Sequence, residues 1–104
     1  MLALTQYSGD MVGVFGLGLS GDATVGALLA GGAKVYAWDD NEAKRTACQE
    51  KYPDANYNSF GKWPWSKLRL LVLSPGVPLN FPKPHDAVMI ATAKGVRICG
   101  DVEL

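Results

Sequence analysis

The chain has 104 residues, 48% hydrophobic and 19% charged, which is the size and composition of one small globular domain. Ten basic and ten acidic residues cancel, and no stretch gathers Lys or Arg without acidic neighbours, which argues against a nucleic-acid or anionic-membrane partner. No apolar run approaches the roughly 18 to 20 residues needed to cross a bilayer, and residues 1–10 lack the basic start and apolar core of a signal peptide, so the expected compartment is the cytoplasm.

The first predicted element is the apolar run Met11 to Gly16, a strand buried on both faces. From Ser20 to Ala30, Ala23, Val25, Ala27, Leu28 and Leu29 dominate a predicted helix, which Gly31-Gly32 ends. Lys34 to Asp39 reads as a second strand. Glu42 to Lys51 is a polar, helix-favouring stretch closed by Pro53. Ala55 to Ser59 is a candidate short third strand, and Trp63-Pro64-Trp65 breaks the pattern before Leu68 to Leu73, a clear buried strand. A Pro-rich loop, Ser74 to Pro84, separates that strand from a helix over Asp86 to Lys94. Gly95 ends the helix, and Val96 to Cys99 is the last strand. Alternating strands and helices predict an α/β fold: a Rossmann-like open parallel sheet of about five strands, helices on both faces and right-handed crossovers. At the end of the sequence, Gly100-Asp101-Val102-Glu103-Leu104 begins what reads as another helix, so a longer natural protein is expected.

Gly16-Leu17-Gly18-Leu19-Ser20-Gly21 matches G-x-G-x-x-G between a predicted strand and a predicted helix, the context the motif requires. Gly16 permits the tight turn, Gly18 lets backbone approach a ligand, and Gly21 lets helix and strand pack. Free N–H groups and the positive end of the helix dipole then favour a phosphate. Asp39 ends the second strand, where a carboxylate commonly meets ribose hydroxyls. It could equally cap the helix that follows. Ser74-Pro75-Gly76-Val77 follows the buried strand Leu68 to Leu73 and, as a loop beyond a strand's carboxyl end, is expected beside the glycine turn. The same residues make a good generic turn. On these features alone a nicotinamide dinucleotide is as good a ligand as any, and a bare scaffold is also open.

Taken together in this order, GLGLSG (Gly16 to Gly21), WDD (Trp38 to Asp40), LVLSPGV (Leu71 to Val77) and GDVEL (Gly100 to Leu104) resemble the N-terminal domain of the UDP-N-acetylmuramoyl-L-alanine:D-glutamate ligases of the Mur ligase family. The resemblance covers nearly the whole chain. It implies a single UDP-sugar-binding domain over residues 1–104, with the central ATP-binding and C-terminal domains of the ligase absent. The implied ligand is UDP-N-acetylmuramoyl-L-alanine, its diphosphate on Gly16, Gly18, Leu19, Ser20 and Gly21. Its uridine would lie between Asp39-Asp40-Asn41 and Ser74-Pro75-Gly76, with Gly76 flat against the uracil. Some members carry Arg where this chain has Asn41. In the family the reaction is ATP- and Mg-dependent: the L-alanyl carboxylate becomes an acyl phosphate that the amine of D-glutamate attacks, a step of peptidoglycan precursor synthesis. This chain has no G-x-x-x-x-G-K-[ST] loop to cradle ATP phosphates, so no cofactor and no catalytic residue are expected in it. The other readings are an NAD(P)-binding domain of a reductase or of a ligand-gated regulator.

The remaining chemistry-bearing residues read as structural. His85 is a lone histidine without an orienting partner in sequence, and no metal set is present. Cys48 and Cys99 lack C-x-x-C spacing and read as packing residues. Trp63 and Trp65 are expected to cover the sheet edge, and Lys44-Arg45 to lie on a solvated helix face.

Overall fold

A computed structural model of the chain describes residues 4–74 and 86–100. The apolar run around Val12 forms the central strand, β1 (Met11–Phe15), flanked by β2 (Lys34–Trp38) and β3 (Leu68–Leu73), with β4 (Arg97–Gly100) outside β3. All pairings are parallel and the order is β2-β1-β3-β4. The register sets Phe15 opposite both Trp38 and Leu73. Three strands therefore end level, and the chain leaves them at neighbouring points on one edge. β1 is also where successive strands switch from one side to the other, the place at which open α/β sheets form a crevice.

Alternation along the strands divides the core. Val12, Val14, Val35, Ala37, Leu70 and Val72 face helices α1 (Leu19–Ala30) and α2 (Glu42–Lys51) through Val25, Leu28 and Cys48. Phe15, Leu71 and Leu73 face the opposite way, toward Trp63, Trp65 and helix α3 (Asp86–Ala93), which contributes Ala87, Val88 and Ala91. Helices on both faces of a parallel sheet are as the sequence predicts.

Helix ends explain most boundaries. After α1, the Ala33 N–H bonds Leu28 C=O (3.0 Å) and the Gly32 N–H bonds Leu29 C=O (3.0 Å), the paired bonds of a Schellman stop, with Gly32 at φ +91°. The N-terminal segment crosses there: Leu4 N–H donates to Ala27 C=O at 3.0 Å, and a Cβ on Gly31 would collide with the Leu4 carbonyl. α2 begins at Asn41, whose side chain accepts the Lys44 N–H (3.1 Å). After α3 the Val96 N–H is taken by Ala91 C=O (2.9 Å), so β4 begins one residue later than predicted and runs to Gly100.

Two expectations change. Of about five strands, four form among the described residues. Ala55 to Ser59 supplies only a bridge at Asn56, whose N–H bonds Val35 C=O and whose C=O accepts the Ala37 N–H, both at 2.8 Å. The chain then leaves the sheet because the Asn58 N–H turns back to Asn56 Oδ1 (2.8 Å) and the Asn58 carbonyl receives the Trp63 indole N–H (3.0 Å). Trp63 and Trp65 cover a sheet face rather than the edge. A Cβ on Gly13 would sit 2.7 Å from Trp63 Cζ3, so the indole can pack this closely on β1 only because position 13 is glycine. The Trp65 indole N–H is satisfied by Phe60 C=O (2.8 Å), and the two indoles stand 5.4 Å apart.

Cys48 and Cys99 are both buried in the core, as packing residues should be. Burial pushes the Cys48 thiol above its ordinary 9.0, only partly opposed by the Tyr57 hydroxyl that bonds it. Burial also raises the Tyr57 hydroxyl, which donates to Tyr52 C=O at 2.8 Å.

Both groups hold their protons more tightly folded than unfolded, so their stabilisation is complete below the unfolded values of 9.0 and 10.0 and is lost as pH rises toward the folded ones. The urea midpoint is expected to fall from about pH 9 upward, with Cys48→Ala delaying the onset; a flat profile would contradict this burial. Trp63→Ala should cost about 3–5 kcal/mol in urea denaturation, as for a large buried aromatic, whereas an edge-covering role would cost about 1 kcal/mol or less.

Candidate functional site

The glycine turn joins the end of β1 to α1. Gly16 adopts φ +96°, a conformation costly for any residue with a Cβ, and its N–H bonds Trp38 C=O at 2.8 Å. Gly18 is the N-cap of α1 at φ −70°, ψ −165°, with no side-chain cap and nothing within 4 Å of where a Cβ would project. Gly21 is the reverse. A Cβ there would run into the Gly16 carbonyl and come within 2.8 Å of Ser74 Oγ. The three glycines thus divide into a positive-φ turn, an uncrowded helix start and a packing contact.

Asp39 and Ser74 meet this turn from opposite sides. Asp39 Oδ2 accepts the Leu17 N–H and Oδ1 the Asn41 N–H, both at 2.7 Å. Ser74 Oγ donates to Gly16 C=O at 2.6 Å, and the Ser74 N–H extends the β1–β3 ladder to Phe15 C=O at 3.0 Å. Sequence reasoning allowed Asp39 to be the cap of α2; that cap is Asn41, and Asp39 instead links the two loops. Asp40 lies beside them, with Oδ1 accepting the Trp38 indole N–H at 3.2 Å.

The first turn of α1 remains open. Among the described residues the N–H groups of Gly18, Leu19 and Ser20 and the exposed Ser20 hydroxyl have no hydrogen-bond partner. Leu19 is 94% exposed, the most exposed large apolar side chain described. An open groove of about 450 Å³ runs from Gly18 and Leu19 between α1 and α2, with Ala43, Lys44 and Ala47 on the far wall. The Lys51–Asp22 ion pair (3.1 Å) joins the two helices within its lining.

The structure therefore brings Gly16, Gly18, Leu19, Ser20, Gly21, Asp39, Asp40, Asn41 and Ser74 to one edge of the sheet. Pro75, Gly76, Val77, His85 and residues 101–104 lie outside the described residues. Arg45 was missed. Instead of pointing to solvent, its guanidinium stacks 4.1 Å from the Trp38 ring centroid and donates to Asp39 C=O at 2.7 Å, on a carbonyl the short Asn56 pairing leaves open. The signal available in sequence was its i+4 spacing from Asn41, which points it back toward the end of β2.

A parallel sheet switching direction at a glycine turn, with a carboxylate on the next strand, defines a Rossmann-like domain. Solved structures agree on the fold: shikimate dehydrogenase from Aquifex aeolicus superposes with a TM-score of 0.69 over 92% of this chain and 44% of that one, at 20% identity. The S. pombe dehydroquinate dehydratase and shikimate dehydrogenase gives 0.59 over 93% of this chain and 25% of that one, at 16% identity. No family model matches the chain.

Sequence relatives are more particular. The chain is 49% identical to the UDP-N-acetylmuramoylalanine–D-glutamate ligase of Rhizobium etli, which it matches over 100% of its own length and 22% of that protein. The same ligase from Brucella abortus is 44% identical over 100% of this chain and 22% of its own, and that from Wolbachia of Brugia malayi 38% over 99% and 21%. The chain is thus similar, from end to end, to a domain-sized segment of the D-glutamate-adding Mur ligases, and spans about a fifth of the length of these relatives.

Gly18→Ala should leave the melting temperature within a few degrees of wild type, the change being limited to a poorer N-cap worth about 1 kcal/mol or less. Gly21→Ala should melt far lower, because its Cβ has no room against the Gly16 carbonyl; equal melting curves for the two variants would refute the division of roles.

Proposed function

We propose that the chain is the N-terminal domain of a UDP-N-acetylmuramoyl-L-alanine:D-glutamate ligase, and that its crevice binds UDP-N-acetylmuramoyl-L-alanine. The observation that carries this reading is the end-to-end similarity to these ligases, in a chain whose glycine turn, Asp39 and Ser74 converge at one sheet edge. The diphosphate lies over Gly18, Leu19 and Ser20, where the unpartnered N–H groups and the positive end of the α1 dipole stabilise two negative charges. The uridine extends toward Asp39, Asp40 and Asn41 on one side and Ser74, Pro75 and Gly76 on the other. Asp39 uses one lone pair of each oxygen on backbone N–H groups and keeps another for the nucleoside. Asn41, standing where some relatives of this type carry Arg, already uses its carbonyl as the cap of α2 and offers the ligand its amide N–H groups.

The whole ligase joins D-glutamate to the L-alanyl carboxylate at the expense of ATP, for peptidoglycan precursor synthesis in the cytoplasm. The residues present do not fit ATP and Mg: the sequence has no phosphate loop with its Lys, and no group of three possible metal ligands occurs among the described residues. This chain's contribution is therefore substrate binding and orientation, and the central and C-terminal domains of its own chain are its protein partners. No helix among the described residues is long and apolar enough to cross a membrane.

Titrating the 104-residue chain with UDP-N-acetylmuramoyl-L-alanine should move the amide NMR signals of Gly18, Leu19, Ser20 and Asp39. NADH should leave them in place at the same concentration; movement at lower NADH than UDP-sugar concentrations would turn the reading to a dinucleotide-binding domain.

A further inference from the structure

The two side-chain bonds at the glycine turn converge on a single peptide. The carbonyl of Gly16 and the N–H of Leu17 belong to the same planar unit, and in a trans peptide they point in opposite directions. Ser74, at the end of β3, holds the carbonyl at 2.6 Å; Asp39, at the end of β2, holds the N–H at 2.7 Å. Because β1 lies between β2 and β3, the peptide is gripped from both neighbouring strands. Flipping it would aim the Gly16 carbonyl at the Asp39 carboxylate and the Leu17 N–H at a hydroxyl already oriented to donate.

We propose that Asp39 and Ser74 are positioning residues for diphosphate binding: by clamping the Gly16–Leu17 peptide they aim the following N–H groups into the crevice. The proposal rests on the reading above, that the diphosphate sits on this turn. Its physical content is a division of the donors. The Leu17 N–H is spent on Asp39, so the ligand is met by the N–H groups of Gly18, Leu19 and Ser20, and these are the ones without partners among the described residues. The orientation of that set follows from the clamped peptide, since the position of Gly18 is fixed by the plane before it. Gly16 at φ +96° is otherwise free to choose among several peptide orientations, and a glycine-rich turn without the clamp would lose conformational entropy on meeting its ligand. The charge-assisted bond to Asp39 is the stronger half, and the hydroxyl bond of Ser74 the weaker.

Asp39 therefore has a role on the phosphates that does not require it to touch them. A residue contacting only the nucleoside would weaken uridine and UDP by the same factor when altered. A clamp weakens UDP more, because the phosphate contacts are lost as well. The experiment uses the 104-residue chain with Asp39→Asn and Ser74→Ala, and amide NMR titrations with uridine, UDP and inorganic pyrophosphate as probes. In Asp39→Asn the affinity for UDP should fall about tenfold further than that for uridine, the effect of losing a charge-assisted bond, and pyrophosphate should no longer move Gly18, Leu19 and Ser20. Ser74→Ala should shift the same signals in the same sense to a smaller extent.

Equal losses for uridine and UDP, or pyrophosphate shifts that persist in both variants, would overturn the clamp. If wild type responds to neither UDP nor pyrophosphate at this turn, the site reading itself fails and the positioning role with it. A ligand-free measurement tests the clamp separately: amide hydrogen exchange at Leu17 should speed by at least about tenfold in Asp39→Asn, while protection in the middle of β1 and β3 stays unchanged. An unchanged Leu17 rate would show that the bond does not hold the turn.

Discussion

The geometry of this domain depends on β1 lying between β2 and β3 in a register that ends all three strands level. Phe15 pairs with both Trp38 and Leu73, so the next residues, Gly16, Asp39 and Ser74, emerge side by side and within bonding distance through one peptide. A shift of one residue in either pairing would turn the inward side chains of that strand to the opposite face and separate the two bonds. The register is held by burial: Val12 and Val14 are fully buried on one face, while Phe15 and Leu71 are covered on the other. Core packing and site assembly are therefore consequences of the same pairing.

Glycines recur wherever two pieces of backbone or an indole come closer than a Cβ allows. Gly13 admits Trp63, Gly21 admits the Gly16 carbonyl and Gly31 admits the Leu4 carbonyl. Gly18 differs from these three: like Gly9, Gly61 and Gly95 it has nothing within 4 Å of the Cβ position, and it is the N-cap of α1. An unfilled space thus lies beside a helix start whose N-cap makes no side-chain hydrogen bond. The exposed Leu19 next to it gives the same edge an apolar component. Such an edge suits a ligand, or a neighbouring domain, with both charged and apolar parts.

The chain illustrates how a dinucleotide-type scaffold is shared by proteins with different chemistry. Its fold is found in shikimate dehydrogenases at 16–20% identity, whereas its sequence follows the D-glutamate-adding ligases at 38–49%. Fold alone leaves the ligand open. Here the carboxylate of Asp39 and the hydroxyl of Ser74 are bonded to the backbone of the glycine turn itself.

By itself the sequence determined the element order, the parallel α/β class and the glycine turn, because these follow from local signals: apolar runs of strand length, Gly-Gly and Pro53 as stops, and a motif whose spacing is contiguous. α2 and β3 begin and end where the pattern placed them. It also predicted that Gly16, Gly18, Gly21, Asp39 and Ser74 lie together, and the structure brings them to one edge of the sheet. What only the tertiary structure decided are the contacts across long separations. The placement of Trp63 and Trp65 over a face, the reduction of Ala55 to Ser59 to one bridge, and the turning of Arg45 onto Trp38 each depend on which strand is neighbour to which. Most of all, the bonds from Asp39 and Ser74 to a single peptide join residues 22 and 58 positions apart. Local patterning can name such residues, but only strand order and register bring their side chains to the same plane.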